Sequence, residues 1–285
     1  QQWPYGTTIR VVATTVANYN ITANGDTTQT VTGAIVFSPA WTTAKLYMQD
    51  LTLANCQSQA SSDNITVYDR RDESDYTVRY INDACWMTQN LRITKSTGQA
   101  DWTISSTDSN FNNVSTWNIH GADLKGSRYS YTQAQSHVPT ATDADTNGDK
   151  PMDTYTADQL GVWYNFCAAS ANNSNGCNGF GNYTPSTGTV TGDICPAGWH
   201  LPTYNTSPGS ISGIISYSSA FSPIYGGYYY DGSLFYATTY GYGYWWSTTA
   251  NGAVSQYGLY YNRGSLYTNF NNKYTGLYVR CVRTS

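Results

Sequence analysis

Short β-branched runs alternate with clusters of Gly, Asn and Ser along much of the chain, and this pattern predicts a β-rich protein. Residues 7–16 (TTIRVVATTV) and 29–37 (QTVTGAIVF) read as strands, with a turn signal at Asn24-Gly25-Asp26 and a stop at Ser38-Pro39. Residues 44–56 place Leu46, Tyr47, Leu51 and Leu53 close enough for a short helix. Two alternating runs within 65–81 flank the charged segment Asp69-Arg70-Arg71-Asp72-Glu73 and predict a hairpin. Residues 96–160 are polar with few strand signals, and a long insertion of this kind is usually functional or ion-stabilised. The segment 224–283 carries Gly, Tyr and Trp in bursts that suit short strands joined by glycine turns.

Composition changes this picture in one respect. Only 11% of the 285 residues are charged, yet 27 Tyr and 9 Trp argue against disorder, because disordered chains are poor in aromatics. Tyr presents an apolar face and a polar tip, which suits half-exposed sheets and contact surfaces. The net charge of -4 and the scattered Lys and Arg make nucleic acid an unexpected partner. No apolar run reaches the roughly 20 residues of a membrane helix, so no membrane span is expected. Gln1-Gln2-Trp3 reads as a mature terminus after loss of a signal segment, or as a trimmed expression fragment. The six cysteines form no CxxC pair, and His120, His137 and His200 lack zinc-site spacing. Disulfides are the favoured reading, which predicts an extracellular compartment.

Three separated segments carry a family resemblance. Tyr68-Asp69-Arg70-Arg71-Asp72, with Tyr76-Thr77-Val78 and the run from Cys85 to Arg92 (CWMTQNLR), is the first. Gly192 to Pro202 (GDICPAGWHLP) is the second, and Tyr244 to Thr249 (YWWSTT) with Gly276 to Val282 (GLYVRCV) is the third. Together, over about residues 60–283, they resemble the Fibrobacter succinogenes major paralogous domain. The resemblance implies an α+β, β-rich fold similar to C-type-lectin-like and formylglycine-generating-enzyme-like domains, in bacterial surface proteins commonly without an assigned activity. It does not reach the N-terminus. The expected organisation is therefore a β segment or small β module at 1–45, followed by a C-type-lectin-like domain at 46–285 with the polar insertion at about 96–160. The Ser-, Gly- and Tyr-rich stretch between Pro202 and Tyr244 stands where that fold calls for a helix.

Within this frame the expected disulfides are Cys56–Cys85, Cys167–Cys177 and Cys195–Cys281, the alternative exchanging Cys85 with Cys281. Trp86, Trp199, Trp245 and Trp246 are expected in the core. Tyr228, Tyr229, Tyr230, Tyr242 and Tyr244 are the better candidates for stacking on a sugar. His200 reads as a structural hydrogen-bonding residue, and the cysteines are not read as catalytic, since no nucleophile with an orienting acid is marked. Asp143, Asp145, Asn147 and Asp149, with Gly148 for the turn, spell the first half of a calcium loop. Thr154 stands where an EF-hand needs its bidentate carboxylate, so the motif is either a looser Ca2+ cage or an acidic, solvated turn.

Val11, Val12, Val16, Val31, Ile35, Val36 and Phe37 are too apolar for a free tail, and they predict homo-oligomeric assembly through the N-terminal segment. The expected function is a non-enzymatic extracellular bacterial surface protein, a self-assembling filament or pilus-like subunit with an adhesive role. The alternative is a monomeric adhesin module that binds a glycan or a host surface.

Overall fold

The computed structural model describes residues 7–10, 19–23, 27–31, 40–43, 45–58, 64–93, 101–111, 116–120, 124, 134–139, 155–171, 190, 192–230, 232–235, 241–252 and 255–285. The chain divides into two compact units, Gln1–Leu46 and Tyr47–Ser285. In the first, β1 (Thr7–Arg10) pairs antiparallel with β4 (Ala40–Thr43), and β2 (Tyr19–Ala23) pairs with β3 (Thr27–Val31). The β2–β3 register sets Ala23 opposite Thr27, and the turn signal Asn24-Gly25-Asp26 lies outside the described residues. Val31 lies opposite Tyr19. The candidate assembly residues Val11, Val12, Val16, Ile35, Val36 and Phe37 lie outside the described residues.

The second unit is α+β and β-rich. Its first sheet runs in the order β17-β7-β6-β5, from Val282–Arg283, Ala84–Met87, Asp75–Ile81 and Ile65–Tyr68. Strand β6 alternates as the sequence pattern requires, with Tyr76 and Val78 buried. Its tight turn into β7 is Asn82-Asp83, both at positive φ (47° and 58°), the geometry of a two-residue hairpin loop. The predicted helix at 44–56 is confined to α1, Leu53–Gln57, where the Thr52 hydroxyl accepts the Asn55 N–H as an N-cap.

Three further strands occupy the polar insertion: β8 (Asp101–Ile104), β9 (Trp117–His120) and β10 (Ala134–His137). With β11 (Trp163–Tyr164) they form a sheet in the order β11-β10-β9-β8, and its β9–β10 pair is parallel. Between Pro202 and Tyr244, three short helical turns follow one another: Ile211–Ile214, Ile215–Tyr217 and Ser218–Phe221. They supply Ile211, Ile214 and Phe221 to the core. A hairpin of β12 (Tyr228–Tyr230) and β13 (Ser233–Phe235) precedes a three-stranded meander. The meander strands β14 (Tyr242–Ala250), β15 (Ser255–Asn262) and β16 (Ser265–Asn272) are longer than the bursts of aromatics suggest.

One segment joins these sheets. Gly276 exchanges backbone hydrogen bonds with Tyr229 of β12, Leu277 with Tyr164 of β11, and Tyr278 bonds Tyr244 and Trp246 of β14. Val279 accepts from Leu91, Cys281 from Met87, and Val282 exchanges bonds with His200. Every residue from Leu277 to Val282 is buried. A Cβ at Gly276 would lie 2.3 Å from Leu124 Cδ2 and 3.1 Å from Tyr229 Cβ, so a larger residue would have to push the Leu124 side chain aside. Around the segment Trp86, Trp163, Trp245, Phe221 and Tyr278 form one core, and Trp199 and Trp246 are buried as well, as the sequence predicts.

The turn between β5 and β6 is held by charge. Arg71 and Asp69 form an ion pair whose side chains are fully buried, and Arg71 also donates to the Ile194 carbonyl. Beside them, burial and then the like charge of Asp69 push the Asp72 carboxyl up to about 6, although Ser74 donates to it through both N–H and Oγ–H. The folded value lies above the ordinary carboxylate value, so the folded state holds the proton more tightly than the unfolded chain. This contribution is complete below the unfolded pKa and is lost as pH rises through about 6. Asp72→Asn is therefore expected to remove a fall in melting temperature between about pH 4 and pH 6 and to leave the variant the more stable at higher pH. Paired melting curves across that window check this, and two parallel curves would refute it.

Candidate ligand site: a tyrosine-lined cleft

Period-two alternation gives the β14–β16 meander two chemically distinct faces. On one face Trp245, Leu259, Tyr261 and Leu266 enter the core. The other face carries Tyr242, Tyr244, Tyr260, Tyr267 and Asn269, with Tyr244 opposite Tyr260 and Tyr260 opposite Tyr267 in the register. The β12 hairpin stands beside this face, and a turn after β16, in which Thr275 N–H donates to the Asn272 carbonyl, supplies Tyr274 and Thr275. These elements enclose a cleft of about 540 Å³. That is within the roughly 300–1,000 Å³ typical of small-ligand sites.

Of the sequence-predicted tyrosines, Tyr228, Tyr230, Tyr242 and Tyr244 all line this cleft. Tyr229 is not among the residues that line it. Strand alternation turns it to the opposite side of β12, where it is 8% exposed and stacks on His137 at 4.0 Å between ring centroids. Tyr260, Tyr274, Phe270 and the amides of Asn269, Asn271 and Asn272 join the site and are missed by sequence reasoning. They are scattered over 15 residues of β15, β16 and the following turn, and only the strand register hints at Tyr260.

The rings are set against one another. Tyr242 stacks on Tyr260 at 5.5 Å with 18° between planes, Tyr244 lies 5.0 Å from Tyr260, and Tyr228 meets Tyr244 edge-on at 5.2 Å. Tyr230 and Tyr274 approach to 5.8 Å, and the Asn272 amide donates to the Tyr274 hydroxyl at 2.7 Å. Burial, then the neighbouring Tyr242 hydroxyl, pushes the Tyr260 phenol up to about 12, so it stays protonated and neutral. The cleft thus offers flat apolar ring faces with neutral hydroxyl and amide groups at their edges. That combination stacks on C–H surfaces and exchanges hydrogen bonds with hydroxyl groups.

The other sequence candidates are placed as follows. Cys56–Cys85 and Cys195–Cys281 are bonded as predicted, and all four cysteines are buried. Cys167 is disulfide-bonded, and its predicted partner Cys177 lies outside the described residues. His200 contacts the Leu201 carbonyl through Nδ1 at 2.8 Å and the Thr284 hydroxyl through Nε2 at 3.1 Å. The calcium candidates Asp143, Asp145, Asn147 and Asp149 lie outside the described residues. Among the described residues no helix is long and apolar enough to cross a membrane.

No protein-family model matches this chain, and no curated protein or solved structure matches it either.

Proposed function

We propose that this chain is a non-enzymatic extracellular surface protein whose adhesive contact is a glycan seated in the tyrosine cleft. The observation that carries the reading is the composition of the cleft wall, tyrosine rings edged by asparagine amides and hydroxyls. Aromatic side chains of this kind supply large contact area at low entropic cost, and their polar tips satisfy a hydroxylated ligand. The buried disulfides support an oxidising, extracellular setting. The C-type-lectin-like resemblance of residues 60–283 belongs to the same reading.

The test is a glycan array followed by calorimetry on the strongest binder. Tyr230→Ala and Tyr242→Ala remove half-exposed rings and are expected to leave the fold intact. Each is expected to weaken binding about ten- to hundredfold, since burying one such side chain is worth roughly 1.5–3 kcal/mol. Binding that survives both substitutions unchanged would place the ligand elsewhere.

A second reading, a filament or pilus-like subunit assembled through residues 1–45, has one structural observation in its favour. The described strands of Gln1–Leu46 form two-stranded ladders, and such a pair is marginally stable alone and gains from an added strand. Light scattering on the purified full chain decides between it and a 31.4 kDa monomer.

A further inference from the structure

Two features of the cleft go further than its general suitability for a glycan. The first is the absence of charge. Among the described residues, the lining of the cleft consists of Tyr, Phe, Asn and Thr alone. The one basic residue in the segment that forms its end, Lys273 between Asn272 and Tyr274, is drawn away from it. Lys273 is 1% exposed and its ammonium lies 5.9 Å from the centre of the Phe166 ring, in the protein interior. Among the described residues no cation is therefore presented to a carboxylate, sulfate or phosphate, and an anion placed against them would lose hydration without an opposite charge in return.

The second feature is a ring platform that runs out of the cleft across the sheet. Tyr242 on β14, Tyr260 on β15 and Tyr267 on β16 share one face, with centroid steps of 5.5 and 6.0 Å and planes tilted by 18° and 39°. Tyr267 lies outside the cleft lining and is 49% exposed. Three successive rings at these spacings, the first two near-parallel and the third tilted, match successive pyranose residues of one chain better than a single sugar.

We infer that the site takes an extended, uncharged oligosaccharide, laid from the cleft across the Tyr242–Tyr260–Tyr267 row. This specificity rests on the glycan-binding reading above and adds to it both the neutrality and the length of the ligand. Tyr267 is then a specificity residue that a small ligand confined to the cleft would not touch.

The experiment uses the full chain against an array that holds neutral, sialylated and sulfated glycans, together with length series of neutral gluco- and manno-oligosaccharides. The strongest binders are expected to be neutral. Their affinity should rise at least tenfold from disaccharide to pentasaccharide and stay constant from about 0.05 to about 0.5 M NaCl, where screening would weaken an ion-driven contact. Tyr267→Ala should flatten the gain with length and leave disaccharide affinity unchanged, while Tyr242→Ala weakens every length. Salt-sensitive binding of sialylated or sulfated glycans that depends on Tyr242 would overturn this inference and leave the cleft reading intact. So would equal affinity for short and long neutral chains, or a Tyr267→Ala variant with an unaltered length series. No binding by any member of the array would overturn both.

Discussion

Asn90→Ala is expected to destabilise the protein by about 3–5 kcal/mol, since each buried polar group left without a partner costs roughly 1–3 kcal/mol. Asn90 is fully buried, and its amide oxygen accepts two hydrogen bonds of 2.8 Å, from Arg280 Nε and from Trp245 Nε1. Its amide nitrogen donates to the Leu160 carbonyl at 2.8 Å. Arg280 is itself 1% exposed, lies over the Phe221 and Trp245 rings, and also donates through its two terminal nitrogens to the Phe221 and Ser222 carbonyls. Burial pulls its pKa down to about 9, so the guanidinium is held in an environment that resists charge and depends on each acceptor. Alanine would orphan both donors and the Leu160 carbonyl at once. Total stabilities of domains are of the order of 5–15 kcal/mol, so the variant should lie close to unfolding at body temperature. Asn90→Asp keeps the acceptor for Arg280 and Trp245 and adds an opposite charge, at the cost of setting a carboxylate oxygen against the Leu160 carbonyl, and should be less damaged than alanine. Urea unfolding of the two variants checks this, and equal losses would mean that the site matters for its volume and not for its acceptor.

That hub shows where the sequence stops being legible. Asn90 and Arg280 both stand inside the segments that carry the family resemblance, but they are 190 residues apart, and no local pattern announces that one amide caps the other's guanidinium. The hairpin at 65–81 was readable because its alternation and its charged turn are local. Strands β8, β9 and β10 were not. Asp101-Trp102-Thr103-Ile104, Trp117-Asn118-Ile119-His120 and Ala134-Gln135-Ser136-His137 contain few β-branched residues, and their strand state comes from non-local pairing, including the parallel β9–β10 contact. The joining role of 276–282 was equally hidden, because each of its contacts to a sheet is only one or two residues long.

The cleft was half legible for a related reason. A run of tyrosines announces an aromatic surface, but composition does not say which face a residue takes. Alternation sends Tyr229 inward against His137 while Tyr228 and Tyr230 stay at the cleft. Tyr260 and Tyr267 could be assigned only after the β14–β15–β16 register was known, since a slip of one residue would exchange the two faces of the meander.

Removing the Cys195–Cys281 bridge by paired serine substitution is expected to cost about 4–5 kcal/mol, as an upper value from the entropy of closing its long loop. The two cysteines are 86 residues apart in sequence, and they tie the segment before Trp199 to the segment that joins the sheets. Asp193 reinforces the same point, with its carboxylate accepting the Cys195 and Leu201 N–H groups. Both cysteines are fully buried, so each serine would also place a hydroxyl in an apolar site. The Cys56–Cys85 bridge spans 29 residues and anchors the short α1 helix to β7 at the sheet, so the same substitution there should cost about 3–4 kcal/mol by the same loop argument. The prediction is thus an order as well as a size. Guanidinium unfolding without reductant should rank the wild type first, the Cys56/Cys85 variant second and the Cys195/Cys281 variant last. If the shorter loop proved the more costly to open, the entropy of the unfolded chain would not govern these bridges, and local contacts around α1 would have to carry the difference.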